Sequence, residues 1–148
     1  MSTAHELAQR WLDTARADLM AARNCLDGPH YLPEIAAYHC QQAAEKLVKA
    51  VLIHGGIEPA KSHDIDALVG RLSPADRIRP ALEPLGRFTP YAVPFRYPGE
   101  DLDPSPPERN DITGWITEID TAIGVVSLGH NQNRPPHEAF DKYGDLRV

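Results

Sequence analysis

The stretch between Pro33 and His54 constrains what this chain can fold into more than any other. Ala36, Cys40, Ala43, Leu47 and Val51 recur at spacings of three and four, and Ala37, Ala44, Val48 and Leu52 widen the stripe. A helix here therefore offers apolar surface to more than one neighbour, which makes it the central one. Pro33 opens it at a position whose N–H has no helical partner anyway, and Gly55-Gly56 supplies a left-handed C-terminal cap. Glu45 and Lys49 stand four apart in the favourable order for a surface ion pair.

The flanking segments are helical as well, and no alternating strand pattern interrupts them. Leu7, Trp11, Ala15, Leu19 and Ala22 predict a first helix from about Thr3 to Leu26, capped by Ser2 or Thr3 and stopped by Asp27-Gly28-Pro29. Ser62 reads as the N-cap of a short helix through Ile65, Leu68 and Leu72, and Ser73-Pro74-Ala75-Asp76 as another helix start. Pro80, Pro84, Pro90 and Pro94 break residues 80–99 into a damaged helix passing into an irregular turn. After the acidic, proline-rich loop from Asp101 to Pro107, Ile112, Trp115, Ile116, Ile119, Ile123 and Val126 predict a last helix from about Pro107 to Leu128. The expectation is an all-α, up-and-down bundle of four to five helices, with Trp11 and Trp115 in its core. It occupies residues 1–130, and residues 131–148 form a polar C-terminal tail holding Pro135-Pro136.

At 148 residues with 42% hydrophobic and 24% charged side chains, the chain can bury a single core without staples. Cys25 and Cys40 both lie in helical patterns, where a free cysteine behaves as a small buried hydrophobe. No apolar run approaches the roughly 20 residues that span a membrane, and no signal-peptide pattern opens the chain, so a cytoplasmic protein is expected. The net charge of −6 argues against non-specific coating of nucleic acid. It is unevenly spread. Between Lys61 and Arg96 six basic residues face four acids, whereas between Tyr97 and Thr121 seven acids face Arg109 alone. The bland account is solvated loops and helix faces; the functional one is a local basic surface for an anionic partner.

The string Tyr38-His39-Cys40-Gln41-Gln42-Ala43-Ala44-Glu45-Lys46-Leu47-Val48-Lys49-Ala50 resembles the second-helix signature of HEPN domains. Gly55-Gly56 followed by Ser62-His63-Asp64-Ile65 fits the same pattern, as do Trp11, Ala15, Asp18 and Leu19 upstream and Phe95-Arg96-Tyr97-Pro98-Gly99 downstream. The likeness runs from about residue 6 to 130. It implies an up-and-down bundle that forms a homodimer, paired in many members with a minimal nucleotidyltransferase in a toxin–antitoxin system. The catalytic branch of the family uses an Arg followed after four to six residues by His, as a metal-independent ribonuclease site across the dimer.

This chain departs from that catalytic pattern. Arg96 takes the arginine's place, but residues 101–103 are Asp, Leu and Asp. The literal match, Arg23 to His30, straddles the end of the first helix and is read as chance. Cleavage through a 2′-hydroxyl needs a group of near-neutral pKa, and imidazole is the usual one. Without it Arg96 still holds a phosphate through its planar fork, which is binding rather than proton transfer. Arg96 is thus the candidate catalytic residue, and Arg96, Tyr97, His39, Gln42 and Lys46 are the candidate ligand-binding residues. The ligand is expected to be a nucleotide or RNA.

His39, Gln42, Lys46 and Lys49 share a flank beside the apolar stripe, suited either to a dimer rim or to a ligand, with Lys46 on a phosphate. Tyr91, Phe95 and Tyr97 beside Arg87 and Arg96 suit core packing at a bundle end, or stacking on a base. His39, Cys40, His54 and His63 lack zinc-type spacing, so no metal is expected. There is no phosphate-binding glycine loop, nucleophile elbow or HExxH motif, and nothing calls for a cofactor. Three readings follow: a nucleotide-binding interaction module, a ribonuclease that recruits His39 or Tyr97 as proton carrier beside Arg96, or a purely structural dimer with no ligand.

Overall fold

The computed structural model describes residues 3–92 and 107–132, which contain five α-helices and a 3-10 segment and no strand. In chain order these are α1 (Ala4–Asp27), α2 (Pro33–His54), α3 (Ile65–Val69), α4 (Arg79–Leu82), the 3-10 segment Glu83–Ala92, and α5 (Arg109–Gln132). Arg96, Phe95 and Tyr97, the proline-rich loop and the tail beyond Gln132 lie outside the described residues.

Each long helix begins where its sequence says it should. Thr3 caps α1 in a full capping box: its hydroxyl accepts from the Glu6 N–H at 3.1 Å, and the Glu6 carboxylate accepts from the Thr3 N–H at 3.3 Å. Pro33 starts α2. Its end is a Schellman closure, in which the Gly56 N–H donates to the Ile53 carbonyl and the Ile57 N–H to the Leu52 carbonyl. Gly56 adopts φ of 79°, a left-handed conformation that glycine takes without a Cβ penalty. The closure reverses the chain so that residues 57–64 return along α2.

The α1–α2 pair is the largest helix contact among the described residues. It runs on alanine: Ala8, Ala15 and Ala22 repeat every seven residues on α1, and Ala36, Ala43 and Ala50 do so on α2, all fully buried. Small side chains at that repeat let two helix backbones approach closely, while Leu12, Leu19 and Leu26 fill the spaces between. Ala15, Leu19 and Ala22 are buried as expected, but at the N-terminal end Ala8 and Leu12 take the places expected for Leu7 and Trp11. Leu7 is 39% exposed, and Trp11 is half-buried at the margin of the seam, because an indole does not fit between helices spaced by alanine. Ala43→Leu is therefore expected to lower stability by about 1–3 kcal/mol through overpacking. A shift of the urea midpoint at unchanged slope would measure it.

Beyond α2 the chain departs from expectation at two caps. Asp64, not Ser62, caps α3, its carboxylate accepting from the Ala67 N–H at 3.2 Å while Ser62 accepts from the Asp64 N–H. Residues 73–76 form a turn rather than a helix start. The Ser73 hydroxyl accepts from the Ala75 N–H, and the Asp76 carboxylate accepts from the Ile78 N–H. Such local bonds compete with helical ones, so the helix waits until Arg79. The 3-10 segment packs through Leu85 and Phe88, with Phe88 edge-on to Trp115 of α5 at 5.3 Å. Trp115 is half-buried against the core, and Tyr91 rests on it, so that aromatic packs at the end of the bundle. Ile112, Ile116, Ile119, Ile123 and Val126 bury the inner face of α5, which continues to Gln132. Among the described residues no helix is long and apolar enough to cross a membrane.

Candidate functional site

The polar side chains of α2 form two arrangements of the same design. In the first, Asp18 of α1 holds two residues of α2: its carboxylate meets Nδ1 of His39 at 3.0 Å and accepts from Nζ of Lys46 at 2.6 Å. In the second, Glu45 of α2 meets Nδ1 of His63 at 2.7 Å and accepts from Nζ of Lys49 at 3.0 Å. Each carboxylate is thus clamped by one lysine and one histidine. Gln41 adds a third donor to Glu45 at 3.0 Å, and Gln42 donates to Gln41 at 2.7 Å, which ties the flank of α2 to its buried row.

Burial distinguishes the members. Glu45 and Lys49, expected as a surface pair, are 4% and 8% exposed and belong to the interior. The reason lies in the pattern of α2 itself. Gln41, Glu45, Val48 and Leu52 fall at spacings of four, three and four, a row that is buried along its length. An ion pair in that setting must have its remaining bonding capacity satisfied, which Gln41 and His63 provide for Glu45. Lys49 also lies 5.8 Å over the Trp11 ring. His39, Gln42 and Lys46 are half-buried, as their position on the flank predicts.

The loop closure at Gly56 puts His63 where it is. Returning along α2, the chain brings the ring over Glu45, eighteen residues earlier in sequence. Its side chain remains 71% exposed, so one nitrogen is anchored on a buried carboxylate while the rest of the ring faces solvent. A carboxylate only accepts, so Nδ1 carries the proton and Nε2 is the free edge, in His63 and His39 alike.

Desolvation by burial pushes the Glu45 carboxyl up, but hydrogen bonds from His63, Gln41 and Lys49, with the Lys49 charge, outweigh it and hold the group below its ordinary 4.5. Stability linked to a depressed carboxyl is complete above the unfolded value and is lost as pH falls through the folded one. Acid unfolding should therefore deepen below pH 4.5, the ordinary value for Glu45. Stability measured in urea against pH should show a shallower acid limb in Glu45→Gln than in the wild type. Burial drives the Cys40 thiol up to about 12, which leaves it an inert core side chain. Burial also lowers the pKa of His54, whose ring packs edge-on to His5. Among the described residues no three His, Cys, Asp or Glu side chains are grouped to hold a metal ion.

Of the residues expected from sequence, the structure therefore brings His39 and Lys46 onto one carboxylate and joins Gln42 to the buried row. It also adds Asp18, Glu45, Gln41 and His63.

A family model described as the HEPN domain matches residues 8–125, which spans α1 through most of α5. The chain belongs to the HEPN domain family. Both polar arrangements fall within the matched HEPN region. A crystal structure of an archaeal HEPN homologue superposes with a TM-score of 0.60 at 26% identity, covering 88% of this chain and 99% of that one. None of the curated proteins compared with the chain matches it. The all-α HEPN bundle expected from the second-helix signature is the fold observed.

Proposed function

We propose that the protein is a homodimeric HEPN-type module that binds a nucleotide along the α2 flank. In this reading it works in the cytoplasm with a minimal nucleotidyltransferase in a toxin–antitoxin-like pair. One observation carries the binding site: both carboxylates are turned toward their own lysines and histidines. The charge of Asp18 is spent on His39 and Lys46, so the rim of this flank offers N–H donors and imidazole edges rather than free acid. Such a rim suits an acceptor-rich anion and repels little of it. Arg96 and Tyr97 join the site in this proposal, as phosphate fork and aromatic surface. Residues 1–130 form the HEPN unit, and the tail of 131–148 is proposed as a separate polar extension.

Three measurements on the full chain test the reading. Light scattering should return twice the chain mass, calorimetry should detect nucleotide binding weakened in Lys46→Ala, and co-expression with a neighbouring nucleotidyltransferase should yield a stable complex. A monomer that binds neither nucleotide nor partner would sink it.

A second reading, a metal-independent ribonuclease built on Arg96, draws support from the Asp18–His39 contact. A carboxylate on Nδ1 fixes the tautomer and direction of an imidazole, as a proton carrier requires. Cleavage of structured RNA by the wild type, lost in both Arg96→Ala and His39→Ala, would favour it. An inactive wild type would remove it.

A further inference from the structure

We propose that His63 contacts the ligand directly, its Nε2 edge reading a phosphate group of the nucleotide, with Glu45 as the residue that positions it. The inference rests on the nucleotide-binding reading and extends it to a residue outside the flank considered so far.

The geometry of the ring is the first argument. An imidazole that is 71% exposed is tethered at 2.7 Å to a carboxylate that is only 5% exposed, so its orientation is set from inside the protein and its working edge lies outside. Charge is the second. Lys49, at 3.0 Å, already balances Glu45, and Gln41 already fills a place on the same oxygen that His63 approaches. Neutralising the buried acid therefore does not require the histidine.

The surroundings are the third argument. Oδ1 of Asp64, next in sequence, accepts from the N–H of Ala67, and the Asp66 carboxylate lies against the Gly86 backbone, where a Cβ would stand. The exposed imidazole edge, with the exposed Lys61 two residues away in sequence, matches phosphate oxygens better than a cation. An imidazolium donates from both nitrogens at once, so Nε2 can serve a phosphate oxygen while Nδ1 stays on Glu45.

The bland alternative is that His63 merely pins the 57–64 loop to α2. His63→Asn separates the two, because the asparagine amide nitrogen takes the place of Nδ1, keeping the bond to Glu45, while nothing replaces Nε2. Calorimetry with ATP, and with adenosine as the probe lacking phosphate, is the experiment. The wild type should prefer ATP. His63→Asn should weaken ATP about tenfold while leaving adenosine affinity and melting temperature unchanged.

Unchanged ATP affinity in the variant, with or without a lower melting temperature, assigns the residue to pinning and overturns the proposal while the nucleotide reading stands. A wild type that binds neither probe overturns both. Nitrogen-15 spectra of the wild-type imidazole give a check free of any folding defect. The Nε2 resonance of His63 should move as ATP saturates and stay in place with adenosine, and a resonance unmoved by ATP overturns the assignment.

Discussion

Glu45→Ala is expected to destabilise the protein by about 3–5 kcal/mol, the usual cost of removing one partner from a buried ion pair. The magnitude follows from what stays behind. Lys49 is 8% exposed and would lose its carboxylate partner, Gln41 is fully buried and would lose its acceptor, and His63 would lose its anchor. Urea unfolding measures the loss, and a change below about 1 kcal/mol would mean that the pair is solvated as a surface pair would be. Replacing both charges at once, Glu45→Met with Lys49→Met, should recover most of the loss, since an apolar pair of similar volume is often neutral or better. That double variant is informative beyond stability. It should fold well and still bind ATP up to about tenfold more weakly, because nothing would hold His63 in place.

Phe88→Ala is the second large effect, about 3–5 kcal/mol for a buried aromatic truncated in a core. Phe88 is 1% exposed and meets Trp115 edge to face, while the Arg87 guanidinium lies 4.3 Å over its ring. The Arg87–Glu118 ion pair beside it is 2.7 Å long but nearly half exposed at both ends, so the ring rather than the charge holds the 3-10 segment against α5. Near-UV circular dichroism, which reports the packing of Trp115, should weaken together with the melting temperature. Arg87→Ala, by contrast, should change stability little. Retention of wild-type stability by Phe88→Ala would show that the segment is held by its other contacts, including Leu85.

Much of this architecture can be read from particular residues. Pro33, Gly55 and Gly56 mark the ends of α2, Thr3 and Glu6 mark the start of α1, and isoleucine spacing marks the buried face of α5. These signals are local, involving a cap, a missing N–H or a left-handed turn, so they survive without knowledge of the partner helices. Where a local signal competes with another, reading it fails: Ser73 and Asp76 can start a helix or close a turn, and the turn formed. The offset of the α1 stripe from Leu7 and Trp11 to Ala8 and Leu12 is of another kind. It depends on how closely α2 approaches, which the α1 sequence alone does not contain.

The site divides along the same line. His39, Gln42 and Lys46 were legible as a flank because helical spacing puts them on one side of α2. Glu45 carried a signal that was open to reading, since it shares a row with Val48 and Leu52, yet an i to i+4 ion pair looks the same whether water or protein covers it. Asp18 and His63 carried none beyond their places in the HEPN-like pattern, for they reach their partners from 21 and 18 residues away. The sequence by itself therefore determined the long helices, their order and the family. Only the tertiary structure decided which charges are buried and which imidazole edges face outward, because burial and pairing are properties of surfaces that do not exist until the helices pack.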